Sequence, residues 1–438
     1  MANTQHNAVI GLENRVLAPP TNPPQPLAIA DFAAWVERHW REIIPSTDLS
    51  GSIISRDEFI ARFPAATGAK LEEARAADDD GLTTEAQLHR TKMFIKIERG
   101  VKQPTGPDGP ECAAKPRIIS NTSSEYNLLV GPTIVTIQGY IKDNLTKMNS
   151  NLMISNDRAK LGGWFAALDN HYIYEADFNT FDATQCYELR MIIIDAYRRF
   201  YGMEKQVYEA MKRRAESKRL VNERLGVRAT VPGTMASGDP DTYLSNTLLN
   251  LLVQLYAHCK VSNISPRDML ACDFSAAVSG DDSVIGTVQY VAEDAILRVI
   301  ASLGMSATMK SSDLGGDNVG FCSSLFHPIG ADETKVGQCY LGLTPGRVAL
   351  MLGYVKEDDR RPFSTLRANA LGLYQESRNT PIVRSLVDFI LAYTAKRNIG
   401  VTDADHARAR RERGGVWTSG GDDVVDVPLW TRTESAQA

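Results

Sequence analysis

The sequence predicts an α+β protein, because strand-like and helix-like periods are mixed along the chain. Apolar and charged residues alternate in TKMFIKIERG, at Met93, Ile95 and Ile97, which is the period of a half-buried strand. Apolar residues recur at helical spacing in DFAAWVERHWREII. The strand-like runs beyond residue 171 are spaced too irregularly for a doubly wound parallel sheet, in which strands and helices alternate.

The composition is that of a soluble globular protein. The 438 residues are 43% hydrophobic and 23% charged, enough for one large multi-lobed domain or about two or three ordinary ones. The net charge of -5 argues against a protein that covers its whole surface with nucleic acid. The six cysteines form no Cys-x-x-Cys pair, which favours a reducing compartment. Basic residues cluster locally, in groups that a solvated surface could also explain: Lys92, Lys96, Arg99, Lys102, Lys115 and Arg117, then Lys212, Arg213, Arg214, Lys218, Arg219, Arg224 and Arg228.

The first third of the chain predicts an arm, helices and a hairpin. Residues 1–27 are rich in Pro, Asn and Thr, which favours a flexible arm. An amphipathic helix follows, and the acidic stretch AKLEEARAADDDG predicts another. The strand in TKMFIKIERG and a second strand, RIIS, flank the Pro- and Gly-rich stretch KQPTGPDGPECAAKP, so we expect a long basic hairpin. In the amphipathic helix of DFAAWVERHWREII, the side to be buried carries Phe32, Trp35, Val36, Trp40 and either Ile43 or Ile44.

The rest of the chain predicts alternating elements in irregular order. YIYEADF is a strand, CYELRMIIIDAYRRF and DTYLSNTLLNLLVQLYAH are helices, and a basic helix or loop separates them. A strand pair around SGDDS, the helix VAEDAILRVIASLG, the strand SATMK and a strand pair near GFCSSLF follow. Residues 341–397 read as mainly helical, and the Arg-rich end as a flexible tail. The most apolar stretch, residues 244–256, is interrupted by polar residues and is shorter than a membrane span, so no transmembrane helix is expected.

The triplet Gly-Asp-Asp occurs twice, with Asp281 and Asp282 in SGDDS and with Asp422 and Asp423 near the end. Nucleotidyl transfer by divalent ions requires carboxylates from different chain segments at one point. A strand ending at Asp177, beside the SGDDS hairpin, would place three oxygen ligands at one edge of a sheet, which suits Mg²⁺ or Mn²⁺. The later pair lacks a second acidic strand, and we interpret it as a surface turn.

A polar helix face lies between these acidic segments in the sequence. In ASGDPDTYLSN, Ser237 and Gly238 form a predicted turn before a helix, and Thr242 and Asn246 are four residues apart on that helix. A helix placed in this way can direct polar groups at a ribose.

These segments together resemble a known family. DFNTFD, SGDPDTYLSNTLLN and SGDDS, in this order, resemble motifs A, B and C of the RNA-dependent RNA polymerases of positive-strand RNA viruses. The pattern Ser-Gly-x-x-x-Thr-x-x-x-Asn is the most specific part. FIKIERGVK and KPRIISNTSSEYN are similar to motif F, especially in tombusvirus-, nodavirus- and flavivirus-like branches, and GMSATMK and GFCSSLF resemble motifs D and E. The resemblance extends from about residue 92 to residue 326.

The resemblance implies specific roles in catalysis. Asp177 and Asp281 would bind two ions, Mg²⁺ or Mn²⁺, with Asp282 assisting at the second. Lys310 would be the general acid that protonates pyrophosphate, although it could equally be a surface lysine. Phe321 and Cys322 would belong to the grip on the nascent strand, and Cys322 could also be a small buried apolar residue.

The resemblance also implies how the nucleotide is bound. Asp182, Asn246 and either Ser237 or Thr242 would sense its 2′-hydroxyl. Lys115 and Arg117 would contact its triphosphate, because charged and planar groups suit phosphate oxygens, and Lys96 would line its entry channel. The residues expected to bind the nucleotide are therefore Asp182, Ser237, Thr242, Asn246, Lys96, Lys115 and Arg117.

The family fold is a right hand of palm, fingers and thumb, with an antiparallel palm sheet packed on helices. Applied to this chain, it implies the following divisions: a flexible N-terminal arm (1–27), an N-terminal extension and fingers (28–170), palm with motif A (171–202), a fingers insertion (203–233), palm with motifs B to E (234–335), a thumb (336–400) and a flexible C-terminal tail (401–438).

The expected activity is template-directed RNA synthesis from ribonucleoside triphosphates, for viral genome replication and transcription. Expected partners are template and nascent RNA and other viral replication proteins, at membrane-associated replication complexes in the host cytoplasm. Reverse transcriptase is an alternative, but its acids usually follow an aromatic residue, whereas Gly280 precedes them here. A non-catalytic RNA-binding scaffold of polymerase shape is a second alternative, which the complete set of metal and nucleotide positions disfavours.

Overall fold

A computed structural model describes residues 4–17, 20–95, 116–155, 157–169, 171–313, 319–328, 339–353, 361–374, 377 and 380–406. Several predicted features lie outside these residues: Lys96, Lys115, the hairpin tip between them, the pair Asp422 and Asp423, and the Arg-rich tail.

Helices and strands are interspersed in the described chain, which confirms the α+β class. The helices are α1 (Gln5–Arg15), α2 (Pro26–Ile43), α3 (Arg56–Ile60), α4 (Ala65–Asp79), α5 (Glu85–His89), α6 (Ser124–Met148), α7 (Arg158–Ala166), α8 (Phe181–Thr184), α9 (Tyr187–Tyr201), α10 (Lys205–Glu216), α11 (Thr242–Ser262), α12 (Pro266–Cys272), α13 (Glu293–Ser302), α14 (Pro345–Gly353), α15 (Pro362–Tyr374) and α16 (Pro381–Ala395), with a 3-10 turn at Ser50–Ser52. The strands are β1 (Arg90–Ile95), β2 (Ile118–Thr122), β3 (Leu152–Met153), β4 (Tyr172–Phe178), β5 (Ser217–Asn222), β6 (Val227–Pro232), β7 (Phe274–Ser279), β8 (Asp282–Thr287), β9 (Ala307–Asp313), β10 (Gly320–Phe321), β11 (Ser324–Pro328) and β12 (Cys339–Leu343).

The strands form three sheets. A five-stranded sheet has the order β3-β7-β8-β4-β9, and its last four strands are mutually antiparallel. A four-stranded sheet, β2-β1-β5-β6, joins the predicted hairpin strands β1 and β2 to the segment between α10 and α11, through the parallel pair β1 and β5. Strands β10, β11 and β12 form the third sheet. The chain therefore adds β5 and β6 to the sheet of β1 and β2 after it has formed β4 in the five-stranded sheet.

Both faces of the five-stranded sheet are covered, which explains the apolar runs in its strands. Ile173 and Tyr174 in β4 point to opposite faces, as successive strand residues must. Ile173 joins the cluster under α7 and β11, whereas Tyr174 joins the main core with α2, α6, α9 and α11. Helix α11 is buried around most of its circumference, so its polar side chains must find partners inside the protein.

The structure corrects the prediction for residues 1–27. Residues 5–15 form the helix α1, whose Ala8 and Leu12 are buried against β1, β5 and β6. These apolar residues lie four apart, on one face of a helix, but the Pro-rich composition from residue 19 onward dominated the sequence pattern. The segment between α1 and α2 is held as well, because the Asn22 side chain donates to the Met305 carbonyl at 2.7 Å.

The amphipathic helix predicted after residue 28 is α2, and its Phe32, Val36, Trp40 and Ile43 are buried as expected. Pro26 stands in its first turn, where a missing backbone N–H costs nothing. In the part of the chain that the structure describes, no helix is both long and apolar enough to cross a membrane.

The packing of α1 yields a prediction. Leu12→Ala removes a buried side chain that is 5% exposed, and should weaken the docking of α1 by about 2 kcal/mol. Val9, which is 38% exposed on the same helix, is the control. Val9→Ala should change the free energy of docking of α1 by under about 0.5 kcal/mol. Amide hydrogen exchange within α1 measures the local opening free energy. Equal exchange in both variants would show that α1 is not docked through Leu12.

Candidate active site

Two predicted acidic segments lie side by side at one edge of the five-stranded sheet. Strands β4 and β8 are antiparallel, and their register makes Asp177 and Asp282 direct partners. Asp281 lies in the tight turn between β7 and β8, after Gly280. Gly280 has φ of +66°, which a glycine adopts without steric cost and which such hairpin turns require. The Gly-Asp-Asp sequence therefore follows from the turn as well as from the chemistry.

The carboxylates at this edge act on one another electrostatically. The pKa of Asp177 is raised by partial loss of hydrating water and by the negative charge of Asp281. The pKa of Asp182 is raised to about 6, chiefly by burial, with Asp281 contributing and a hydrogen bond from Asn246 opposing. These three acids come from two chain segments about a hundred residues apart, and they share one region of negative potential.

The donor set fits a divalent cation at Asp177 and Asp281. Mutual repulsion of carboxylates is relieved when a cation binds between them, and hard oxygen donors suit Mg²⁺ or Mn²⁺. In the described ranges, no three His, Cys, Asp or Glu side chains are gathered closely enough to form a metal site. The Asp282 carboxylate is hydrogen-bonded with the Cys322 thiol. The structure thus brings Asp177 and Asp281 together, with Asp282 beside them.

The predicted ribose-sensing residues form a connected network. The Asn246 side chain, 6% exposed, donates to the Asp182 carboxylate at 2.7 Å. Its oxygen accepts from the Gln185 side chain, also at 2.7 Å. Asp182 lies in α8, the short helix after β4, and Gln185 directly follows that helix. The network therefore links the motif A segment to α11. Gln185 was not predicted, because a single glutamine between elements carries no pattern.

Helix α11 also holds the hairpin that carries Asp281. The Asn250 amide donates to the carbonyl oxygens of Gly280 and Asp281, both at 3.1 Å. The Thr247 hydroxyl oxygen accepts from the Gly280 N–H at 2.9 Å. Asn250 continues the four-residue spacing of Thr242 and Asn246. That spacing, extended one turn further, could have identified Asn250 from the sequence.

The segment 233–241, here called the B loop, is clamped against β2. The Ser120 N–H donates to the Ser237 hydroxyl oxygen at 3.1 Å, and the Thr122 hydroxyl donates to the Gly238 carbonyl at 3.2 Å. A Cβ atom on Gly238 would lie 2.3 Å from the Ser120 carbonyl oxygen, so only glycine permits this approach. The Thr242 hydroxyl donates to the Ala236 carbonyl at 2.6 Å. Ser237 and Thr242 therefore both shape the loop.

Beside Asp177 and Asp282 lies a cavity of about 410 Å³, lined also by Lys310, Phe321 and Cys322. Lys310 pairs across the strands with Glu175, and its ammonium lies 3.8 Å from the Glu175 carboxylate. Phe321 is buried and its ring stacks on Phe326. Cys322 and Ser323 form the turn between β10 and β11 with positive φ angles, which aims Cys322 at Asp282.

A model of an RNA-dependent RNA polymerase family matches residues 1–323. The chain belongs to the RNA-dependent RNA polymerases of positive-strand RNA viruses. This family membership indicates an RNA-directed RNA polymerase, a nucleotidyltransferase. Polymerases of this family bind RNA and nucleoside triphosphates and generally use divalent metal ions. Comparison with curated proteins gave no match.

The predicted triphosphate contacts of the polymerase are described only in part. Arg117 is exposed, just before β2, on the sheet that clamps the B loop. Lys96 and Lys115 lie outside the described residues.

The raised pKa of Asp182 predicts a pH dependence of stability. The folded-state pKa of about 6 lies above the ordinary aspartate pKa of 3.8. The folded chain therefore binds more protons between these values, and its free energy of unfolding falls as the pH rises through them. Asp182→Asn removes this titration and keeps an oxygen for Asn246. The measurement is made with a metal chelator present. The free energy of unfolding of the native chain, minus that of the variant, should fall by roughly 2–3 kcal/mol from about pH 4 to pH 6. Urea unfolding of both chains measures this difference, and a difference that does not change with pH would contradict the prediction.

The thiols predict an order of alkylation. The pKa of Cys322 is raised to about 12, chiefly by burial and then by the charge of Asp282, so little reactive thiolate forms there. Cys272 is exposed. Iodoacetamide at pH 8 with a chelator should label Cys272 at least about tenfold faster than Cys322, as followed by peptide mass spectrometry. Comparable rates would show that Cys322 is open to solvent.

Proposed function

We propose that this polymerase replicates and transcribes a viral genome by two-metal nucleotidyl transfer from ribonucleoside triphosphates to an RNA 3′-hydroxyl. The observation that supports this most directly is the meeting of Asp177 and Asp281 at one exposed edge of the sheet, where the charge of one raises the pKa of the other. Such an arrangement is suited to holding divalent cations and unsuited to a purely structural role.

The acids have distinct parts in the proposed reaction. Asp177 and Asp281 would hold the ions, and Asp282, beside the cavity that Cys322 also lines, would assist at the second. Bound divalent ions lower the pKa of the attacking hydroxyl and neutralise charge on the leaving pyrophosphate. The hairpin turn, fixed by Asn250 and Thr247, keeps the Asp281 backbone in place while the charge at the site changes.

Asp182 and Asn246 recognise the ribose, with Ser237 or Thr242 completing the site. Asn246 and Asp182 are joined at 2.7 Å, so a 2′-hydroxyl would meet a preformed donor and acceptor pair. A 2′-deoxynucleotide would leave a buried polar group without its partner, which is the basis of discrimination.

The nucleotide phosphates and the nascent strand would be bound on either side of this network. Arg117 and Lys115 contact the triphosphate, and Lys96 lines its entry channel. Lys310 protonates the pyrophosphate; its side chain is 68% exposed and is restrained by Glu175 at 3.8 Å. Phe321 and Cys322 support the end of the nascent strand at the cavity.

The sheets correspond to parts of a right hand. We assign β7, β8, β4 and β9 of the five-stranded sheet to the palm (171–202 and 234–335), which the edge strand β3 joins from the preceding segment. We assign the sheet of β1, β2, β5 and β6 to the fingers (28–170 with the insertion 203–233). Residues 336–400, which include the paired helices α15 and α16, are the thumb, and 401–438 are a tail. Residues 1–27 then belong with the fingers through α1.

The polymerase would act together with other viral replication proteins. It would do so in the host cytoplasm, at membrane-associated replication complexes. The template would be bound through its backbone charge and shape, so affinity for RNA should fall steeply with salt.

The proposal is tested by ribonucleotide incorporation on a short RNA template with Mg²⁺ or Mn²⁺. Asp281→Ala should reduce incorporation by at least about a thousandfold, because it removes a metal-holding carboxylate worth several kcal/mol in the transition state. Asp422→Ala, in the second Asp-Asp pair, is the control and should leave the rate unchanged. Full activity of Asp281→Ala would refute the assignment, and an inactive native chain with either metal on several templates would refute the proposed function.

A further inference from the structure

The B loop contains a strained residue next to the ribose network. Thr234 has φ of +30°, in the left-handed region that β-branched residues rarely adopt. Such strain persists only where neighbouring interactions hold it, and it concentrates at functional sites. The contacts of Thr234 therefore identify what holds the loop.

Two buried cations hold the carbonyl oxygen of Thr234. The Arg190 guanidinium on α9 donates to it at 3.2 Å, and the Lys218 ammonium on β5 donates to it as well. Each residue is only 2% exposed. Charge-assisted hydrogen bonds are stronger than neutral ones, and more so away from water, so this pair can stabilise an unfavourable backbone conformation.

The loop itself contributes two buried acids, Asp239 and Asp241, to this cluster. Asp239 accepts from the Arg214 guanidinium at 2.6 Å, and the Arg190 guanidinium lies 3.8 Å from Asp239 and 3.9 Å from Asp241. Burial lowers the pKa of Lys218 to about 7, with the charge of Arg190 acting in the same direction and that of Asp239 opposing it. The loop is thus tied to α9, α10 and β5 by charge at both its ends.

The residue after Thr234 connects this cluster to the ribose network. The Met235 N–H donates to the backbone carbonyl of Asp182 at 2.8 Å, and the Asp182 carboxylate accepts from Asn246. Displacement of the Thr234 carbonyl would move the peptide bond that bears the Met235 N–H. It would therefore move Asp182, which faces the ribose.

We propose that Lys218 and Arg190 are positioning residues for ribose recognition: by holding the Thr234 carbonyl they keep the B loop, and through Met235 also Asp182, in the geometry that distinguishes a ribonucleotide from a deoxyribonucleotide. This inference rests on the proposed function of Asp182 and Asn246. Neither cation touches the nucleotide in this account; both act through the loop.

Stability alone does not explain a lysine at this position. Desolvation of a buried ammonium is unfavourable, and an apolar side chain of similar length would fill the same space without that cost. A methionine at 218 therefore separates packing, which it keeps, from the hydrogen bond to Thr234, which it removes.

The test compares Lys218→Met with Lys205→Met, an exposed lysine at the start of α10. Hydrogen exchange of residues 233–241 is measured by mass spectrometry on the full chain, without substrates. Exchange there should be about tenfold faster in Lys218→Met, with exchange in α11 and β4 unchanged, and Lys205→Met should match the native chain. Loop exchange equal to that of the native chain overturns the proposal, whatever the activity.

The second readout is the ratio of kcat/KM for ATP to that for 2′-deoxy-ATP on an RNA template. The ratio should fall about fivefold or more in Lys218→Met and stay constant in Lys205→Met. An unchanged ratio in a folded, active Lys218→Met also overturns the proposal. A native chain that makes no RNA refutes the proposed function instead, and the exchange readout still decides whether Lys218 holds the loop.

Should Lys218→Met fail to fold, Thr234→Gly provides the comparison, because glycine adopts a positive φ without strain. Thr234→Gly alone is compared with Thr234→Gly combined with Lys218→Met. The proposal expects faster loop exchange in the double variant, since one cation has been removed from the carbonyl. Equal exchange in the two variants overturns it.

Discussion

The pairing of β4 with β8 is the interaction on which the polymerase site depends. It sets Asp177 beside the Gly280 and Asp281 turn, and it does so through backbone hydrogen bonds that do not depend on the charge of the acids. Helix α11 secures the turn from the buried side, because Asn250 and Thr247 bind its backbone. Carboxylates that repel one another are thus held together by groups that cannot move apart without exposing buried polar atoms.

Buried polar residues connect the site to the rest of the molecule. Helix α11 is surrounded by apolar residues, and two of its buried amides bind groups of the site: Asn246 binds Asp182 and Gln185, and Asn250 binds the turn. The B loop is fixed on one side by β2 and on the other by buried charge. The sheet of β1, β2, β5 and β6 and the five-stranded sheet therefore meet at the loop that precedes α11.

Much of the fold could be predicted from local pattern. The strand YIYEADF, the SGDDS hairpin and the helices after them are present as expected, because their apolar periods are regular and their turns carry glycine. The sequence does not predict the helix α1, because it is short and is followed by Pro-rich sequence, and its packing on β1, β5 and β6 reveals it. The parallel pairing of β1 with β5 joins segments far apart in sequence, and no local period indicates it.

The sequence by itself determined the family, because the acids at 177, 182, 281 and 282 and the asparagine at 246 occur in an order and spacing specific enough to indicate it. Only the tertiary structure decided which of them meet. It also identified Gln185, Lys218 and Arg190, whose importance comes from the atoms they bind in other segments. Motifs record residues that must contact a ligand, whereas a residue that positions them is defined by a contact across the fold, and that contact leaves no pattern in the sequence around it.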